Sequence, residues 1–160
     1  MGKNILRVIL IILLLCTFYI IFGFSSQDGE ESSSISRKVT EFIVDKIIKA
    51  DKVSRIELIN NLQGLVRKLA HFSIYAVVGF LLMALVSTYD LTENKRISIS
   101  LIVGIIYAIS DEIHQGFIPG RAAKITDVMI DTMGVAVGIL VLLLILTIIN
   151  KIKIKNTIKE

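Results

Sequence analysis

"ISISLIVGIIYAISDEIHQGFIPGR" runs from Ile97 to Arg121. Its first half is nearly pure hydrocarbon. Its second half carries two adjacent acids, a histidine, a glutamine and an arginine where a membrane-crossing helix should be ending. About 20 apolar residues are needed to cross a bilayer as a helix, and residues 97–115 meet that length. Three other segments do so as well: residues 5–24, 69–87 and 127–149. The chain of 160 residues is 54% hydrophobic with a mean hydropathy of +0.74, which places it outside the range of ordinary soluble domains. The expected fold class is therefore an all-α integral membrane protein with four transmembrane helices, residues 1–160 forming one membrane domain.

Lys3 and Arg7 ahead of the first apolar core, with Gly23-Phe24-Ser25 after it, resemble a cleavable signal. The apolar stretch is nevertheless long enough to span, and it is read as a span. Cys16 stands alone, which excludes an internal disulfide and a cysteine-based zinc site, and is expected to be a buried, inert thiol. The net charge of +4 is dispersed. Lys151, Lys153, Lys155 and Lys159 follow the last span as a membrane-surface anchor. No glycine-rich phosphate loop, nucleic-acid motif or internal repeat is present, so no nucleic-acid partner is expected.

Positive residues in short flanks set orientation. Lys3, Arg7, Lys95, Arg96 and the lysine tail share one side of a four-span chain, which is expected to be the cytoplasm. Against this stand Arg37, Lys38, Lys46, Lys49, Lys52, Arg55, Arg67 and Lys68 in the first connection, accompanied by seven acids between Asp28 and Glu57. In that connection, residues 25–67, Ile35, Val39, Phe42, Ile43 and Ile47 recur at helical spacing. Ser54-Arg55-Ile56-Glu57 reads as a capping box. Two amphipathic helices are expected there, lying on the membrane or capping the bundle, the second running into the second span.

Alternation of spans brings particular residues to one leaflet whichever side is outside. These are Ser25, Ser26 and Gln27 after the first span, Lys68 and His71 at the start of the second, and Asp111, Glu112 and Gln115 at the end of the third. Arg121 in the third loop and Asp127 and Asp131 at the start of the fourth join them. Helical spacing then aligns Lys68, His71, Tyr75 and Gly79 on one stripe. Gly104, Ala108, Asp111 and Gln115 form a second, and Asp127, Asp131, Gly134 and Gly138 a third. Each stripe is polar at the shared leaflet and small toward the other, and small residues let membrane helices approach closely. A polar cup closing toward the far leaflet is the expected arrangement.

Charges inside spans are costly and pair with one another or face water. Lys68 and Arg121 are expected to offset part of the charge of Asp111, Glu112, Asp127 and Asp131. Glu112 lies about 100° around the helix from Asp111, so one acid is expected to orient Arg121 while the other faces the cup. His114 reads as an interfacial residue. Pro119-Gly120 suits the two central positions of a turn, which would carry Phe117 and Ile118 toward the interface and present Arg121 over the cup. A guanidinium fork fits carboxylate or phosphate.

The ligand-binding candidates are thus Lys68, His71, Tyr75, Asp111, Glu112, Gln115, Arg121, Asp127 and Asp131. If the chain is an enzyme, His71, Asp111 and Glu112 are the catalytic candidates. Asp127-x-x-x-Asp131, with Asp111, Glu112 and His71, has the oxygen and nitrogen donors for a divalent metal. Neither the glycine and arginine pattern of CDP-alcohol phosphotransferases nor the histidine placement of lipid phosphatases is present, and there is no Gly-x-Ser-x-Gly.

Arg67-Lys68-x-x-His71-Phe72-x-x-Tyr75, then Ser110-Asp111-Glu112-x-x-Gln115-x-Phe117-x-Pro119-Gly120-Arg121, then Asp127-Val128 and Gly134-x-x-x-Gly138, resemble the VanZ-like membrane protein family. Ser25-Ser26-Gln27 after the first span is also similar to that family. The resemblance runs from Ser25 to about Gly138, and its third-span block is the specific part. The chain departs from it at Asp131, where the family commonly carries Asn. The resemblance implies a small multi-span protein of a bacterial cell membrane. The family is named for a component associated with resistance to teicoplanin-type glycopeptides without remodelling of the peptidoglycan terminus. Carried over by position, its matching residues are Lys68, His71, Asp111, Glu112, Gln115, Arg121 and Asp127.

The leading functional expectation is a cup that binds an anionic lipid or lipid-linked cell-wall intermediate and lowers teicoplanin susceptibility, with or without contact to the glycopeptide itself. The alternatives are an intramembrane lipid-modifying enzyme, acting by metal-assisted hydrolysis or by phosphoryl or acyl transfer, and a non-catalytic partner subunit working through residues 25–67.

Overall fold

A computed structural model describes residues 2–48 and 52–157, and these are all helix and connecting turns with no strand. In chain order the helices are α1 (Lys3–Ser25), α2 (Gly29–Ile43, continued by a wider π turn over Val44–Ile48), α3 (Lys52–Val86), α4 (Glu93–Gln115) and α5 (Ile125–Thr157). Lys49 and Lys159 lie outside the described residues, as do the side chains of Ile47 and Lys52.

Four of these helices are long and apolar enough to cross a membrane: α1, α3 from Ser54, α4 and α5. At 1.5 Å per residue, the 35 residues of α3 reach about 52 Å, well beyond a hydrocarbon core of ~30 Å. Its N-terminal half therefore projects out of the bilayer, and the expected second amphipathic helix and second span are one continuous rod. The helix starts at Lys52, so Ser54 lies inside its first turn and not at the expected capping position. The 33 residues of α5 overshoot at the other end, where Lys151, Lys153 and Lys155 are exposed.

The inner face of α1 is Leu10, Leu14, Thr17, Ile21 and Ser25. Cys16 falls off that stripe and is exposed, which corrects the expectation of a buried thiol. The outward large residues of the four spanning helices are mostly Ile, Leu, Val and Phe, with Tyr19, Met129 and Met133 among them, and in a bilayer such faces meet lipid. Helices α3 and α5 meet along the expected small-residue stripes. Gly134 lies against the carbonyl of Phe72, Gly138 against the carbonyl of Ala76, and Gly79 against the carbonyl of Val135. Gly104 of α4 receives the Val135 side chain. Around this seam pack Tyr75, Val78, Leu82, Met83, Ala108 and Ile139, all buried.

At the closed end, Arg7 donates to the hydroxyl and carbonyl of Thr88 at 3.0 and 2.8 Å and lies 4.1 Å over the Tyr89 ring. At the opposite end, α2 begins under the Asp28 cap, whose carboxylate accepts from the Glu31 N–H at 2.7 Å. The face that α2 buries is Ser32, Ser36 and Thr40, and the apolar stripe lies on its other side. Ser36 and Thr40 hydroxyls donate back to carbonyls one turn earlier, and Gln63 of α3 donates to the Ser33 carbonyl at 2.8 Å. Small hydroxyl residues let α2 lie close on the projecting part of α3, leaving Ile35, Val39 and Phe42 exposed. Arg55 grips Asp45 through two bonds of 2.7 and 3.0 Å, and this holds the Asp45 carboxyl below its usual range.

Candidate functional site

The C-terminal ends of α1 and α4 and the start of α5 converge on the middle of α3, as alternation of the spans requires. Asp111, on the inner face of α4, is 5% exposed. Its Oδ2 accepts from the Tyr75 hydroxyl at 3.1 Å and from Gln115 Nε2 at 3.0 Å. The same Gln115 amide donates to Ser25 Oγ at 3.1 Å, so three helices are tied through one carboxylate. Tyr107, four residues before Asp111, stacks on Phe18 at 3.9 Å and donates to its carbonyl at 2.9 Å. Asp131, one turn along α5 from Asp127, is 1% exposed, and neither carboxylate oxygen has a hydrogen-bond partner. Its nearest ionic neighbour is His71, with Nδ1 3.7 Å from Oδ1.

Above this floor lies a cavity of about 100 Å³ between α3, α5 and the α4–α5 loop. Lys68, His71, Gln115, Arg121, Asp127 and Asp131, all anticipated from the sequence, line it; Arg67 and the loop residue Lys124 join them. Arg67 was recoverable from its place one turn before His71. The loop's contribution was not, because it depends on how the turn folds. That turn is Ile118-Pro119-Gly120-Arg121, closed by the Arg121 N–H donating to the Ile118 carbonyl at 3.1 Å. Gly120 has φ +74°, the second central position of a type II turn, with Pro at the first. The Gly29 N–H donates to the Pro119 carbonyl at 3.1 Å, so the start of α2 is docked on the same turn.

Two expectations about pairing are corrected. Arg121 does not pair with Asp111 or Glu112. Its two terminal nitrogens donate to the carbonyls of Ser25 and Phe24 at 3.4 and 3.2 Å, where the unsatisfied carbonyls at the end of α1 attract a cation. Glu112 does not face the cup either: it accepts from the backbone N–H of Lys124, immediately before α5. The expected charge compensation acts on Arg121 only at a distance, from Asp111 and Glu112. Among the described residues, Arg67, Lys68, Arg121 and Lys124 have no carboxylate in ion-pair contact. Burial, with Arg67 alongside, holds the Arg121 guanidinium below its ordinary pKa, yet arginine stays charged in any such setting. His114 is stacked on Phe22 at 4.7 Å and bonded to Ser26 Oγ at 3.2 Å, away from the cavity lining.

Of the expected metal donors, Asp127 stays at the rim and Glu112 is turned to the loop. His71, Asp111 and Asp131 do converge, each offering one atom within 4.8 Å of the others. A second, larger cavity of about 310 Å³ opens beside the cup under α2. Its walls are mostly apolar, including Ile21, Phe24, Ile35, Val39, Val66 and Ile74, and it shares Arg67, His71 and Arg121 with the polar cup. No arrangement of single-span signals foretold this chamber, since it exists only because α2 folds over α1 and α3.

Four spanning helices closed at one end and opening into a buried polar cup define a small helical membrane protein. The VanZ/LLP1 family matches residues 10–147, and the chain belongs to that family. No curated protein and no solved structure gives a significant match.

Proposed function

We propose that the cup binds an anionic lipid, or a lipid-linked cell-wall intermediate, and that this binding lowers susceptibility to teicoplanin-type glycopeptides. One observation carries the reading: a cationic chamber and an apolar chamber adjoin and share Arg67, His71 and Arg121. A phosphate-bearing head matches guanidinium and ammonium groups that have no carboxylate in ion-pair contact. A hydrocarbon chain matches the apolar walls, each buried methylene contributing about 0.8 kcal/mol. With the termini and the lysine tail in the cytoplasm of a bacterial cell, as the positive flanks favour, the cup opens at the outer leaflet, where glycopeptides meet lipid-linked wall precursors.

A second reading, a lipid-modifying enzyme, is favoured by the convergence of His71, Asp111 and Asp131. Lipid mass spectrometry on cells with and without the protein, beside Asp111→Asn and Arg121→Ala variants, separates the two. Binding alone leaves the lipid species unchanged while Arg121→Ala loses its effect on teicoplanin susceptibility. A new lipid species that vanishes in Asp111→Asn, which alters the converging donor set, would establish the enzyme instead. Full resistance in both variants would remove the cup from the function.

A further inference from the structure

We infer that the floor of the cup is a divalent transition-metal site, with His71, Asp111 and Asp131 as its three protein ligands and an open position toward the cavity. Imidazole and carboxylate together are the donor set of Zn²⁺, and three protein ligands with one position left over is the pattern of its reactive sites.

The argument begins with Asp131. A carboxylate almost completely removed from solvent carries a heavy desolvation cost unless it is bonded. Here both oxygens lack a hydrogen-bond partner. His71 does not supply the bond, because 3.7 Å between Nδ1 and Oδ1 is beyond hydrogen-bond range. That separation is close to the ~3.4 Å edge between two donors that each lie about 2.0–2.1 Å from a tetrahedral Zn²⁺. An ion seated between them satisfies both groups with a shift of a few tenths of an ångström. Asp111 provides the third donor, and its partners are already arranged to hold it: Tyr75 and Gln115 both bond Oδ2. Ligands are commonly fixed by such outer hydrogen bonds.

Charge points the same way. Two carboxylates share this floor with no lysine or arginine in ion-pair contact among the described residues. The cavity's cations reach the rim and loop, not the floor. A divalent ion neutralises the pair and presents a positive surface to whatever anion enters above it. The inference stands apart from lipid binding, because metal uptake is measured with no added lipid ligand.

The test uses full-length protein in detergent with its affinity tag removed, stripped by chelator and titrated with Zn²⁺ and, separately, Mn²⁺. Elemental analysis and calorimetry should show one saturable equivalent of Zn²⁺ per chain. Affinity should fall at least ~10–100-fold in Asp131→Asn and in His71→Ala, the loss seen even when a group that only orients a ligand is removed. Lys68→Ala, on the rim, should retain the wild-type stoichiometry. Thermal melts guard against misfolding: metal should raise the midpoint of the wild type and of Lys68→Ala but not of Asp131→Asn. The inference is overturned by absence of saturable uptake of either metal in wild-type protein, or by uptake that Asp131→Asn and His71→Ala leave unchanged.

Discussion

Gly138 of α5 rests against the carbonyl oxygen of Ala76 on α3 so closely that no side-chain carbon fits between them. The contact fixes how near the two longest helices approach, and with it the spacing of His71 and Asp131 one to two turns nearer the cup. Gly138→Ala should therefore force the backbones apart and destabilise the bundle by about 1–3 kcal/mol, the usual cost of overpacking. Gly64→Ala is the matched control, since nothing lies within 4 Å of the position a Cβ would take there; it should be neutral or stabilising by up to ~1 kcal/mol. Thermal or denaturant unfolding in one detergent compares the two directly.

Tyr75 is fully buried, and its hydroxyl donates to Asp111. Tyr75→Phe keeps the ring and removes the donor, leaving a buried carboxylate with one bond fewer. A loss of about 1–3 kcal/mol is expected, read as a lower unfolding midpoint. A midpoint equal to wild type would mean that water replaces the hydroxyl.

The turn that presents Arg121 has its own test. Gly120 holds a positive φ and faces Gly29. Gly120→Ala places an L side chain in a conformation costing roughly 1–2 kcal/mol and crowds the start of α2. Amide exchange across Gly29–Ile43 should accelerate while α4 and α5 keep their protection. Unchanged exchange in α2 would show that its docking does not depend on the turn.

Much of the fold was legible because its signals are local. Length and hydropathy mark the spans, and stripes such as Gly134 and Gly138 mark the faces that meet. The cup was legible in outline because alternation of spans carries Lys68, His71, Asp111 and Asp131 to one end. Its pairings were not, because they depend on tertiary geometry: Arg121 turns to the end of α1 and Glu112 to a backbone amide before α5, and neither interaction leaves a spacing in the sequence. The face by which α2 docks was not legible: hydrophobic periodicity marks Ile35 and Val39 as the apolar side, whereas close packing on α3 selects the small hydroxyls of Ser32, Ser36 and Thr40.

Orientation is tested with a single cysteine. In a Cys16→Ser background, Lys124→Cys at the mouth of the cup should react with a membrane-impermeant thiol reagent in intact cells. Labelling that appears only after lysis would invert the topology and place the cup at the cytoplasmic leaflet.

The most direct measurement is lipid retention by the purified protein in native mass spectrometry, with phosphatidylglycerol as the anionic probe and phosphatidylcholine as the neutral one. Wild-type protein should retain phosphatidylglycerol preferentially. Arg67→Ala and Arg121→Ala should each weaken that preference by about 10–100-fold, the equivalent of a lost charge-assisted bond of ~1.5–3 kcal/mol. Ala70→Phe, which fills the apolar chamber, should reduce retention of both lipids. Equal retention of the two lipids by wild type, or a preference that survives in the Arg67→Ala/Arg121→Ala double variant, would contradict the account.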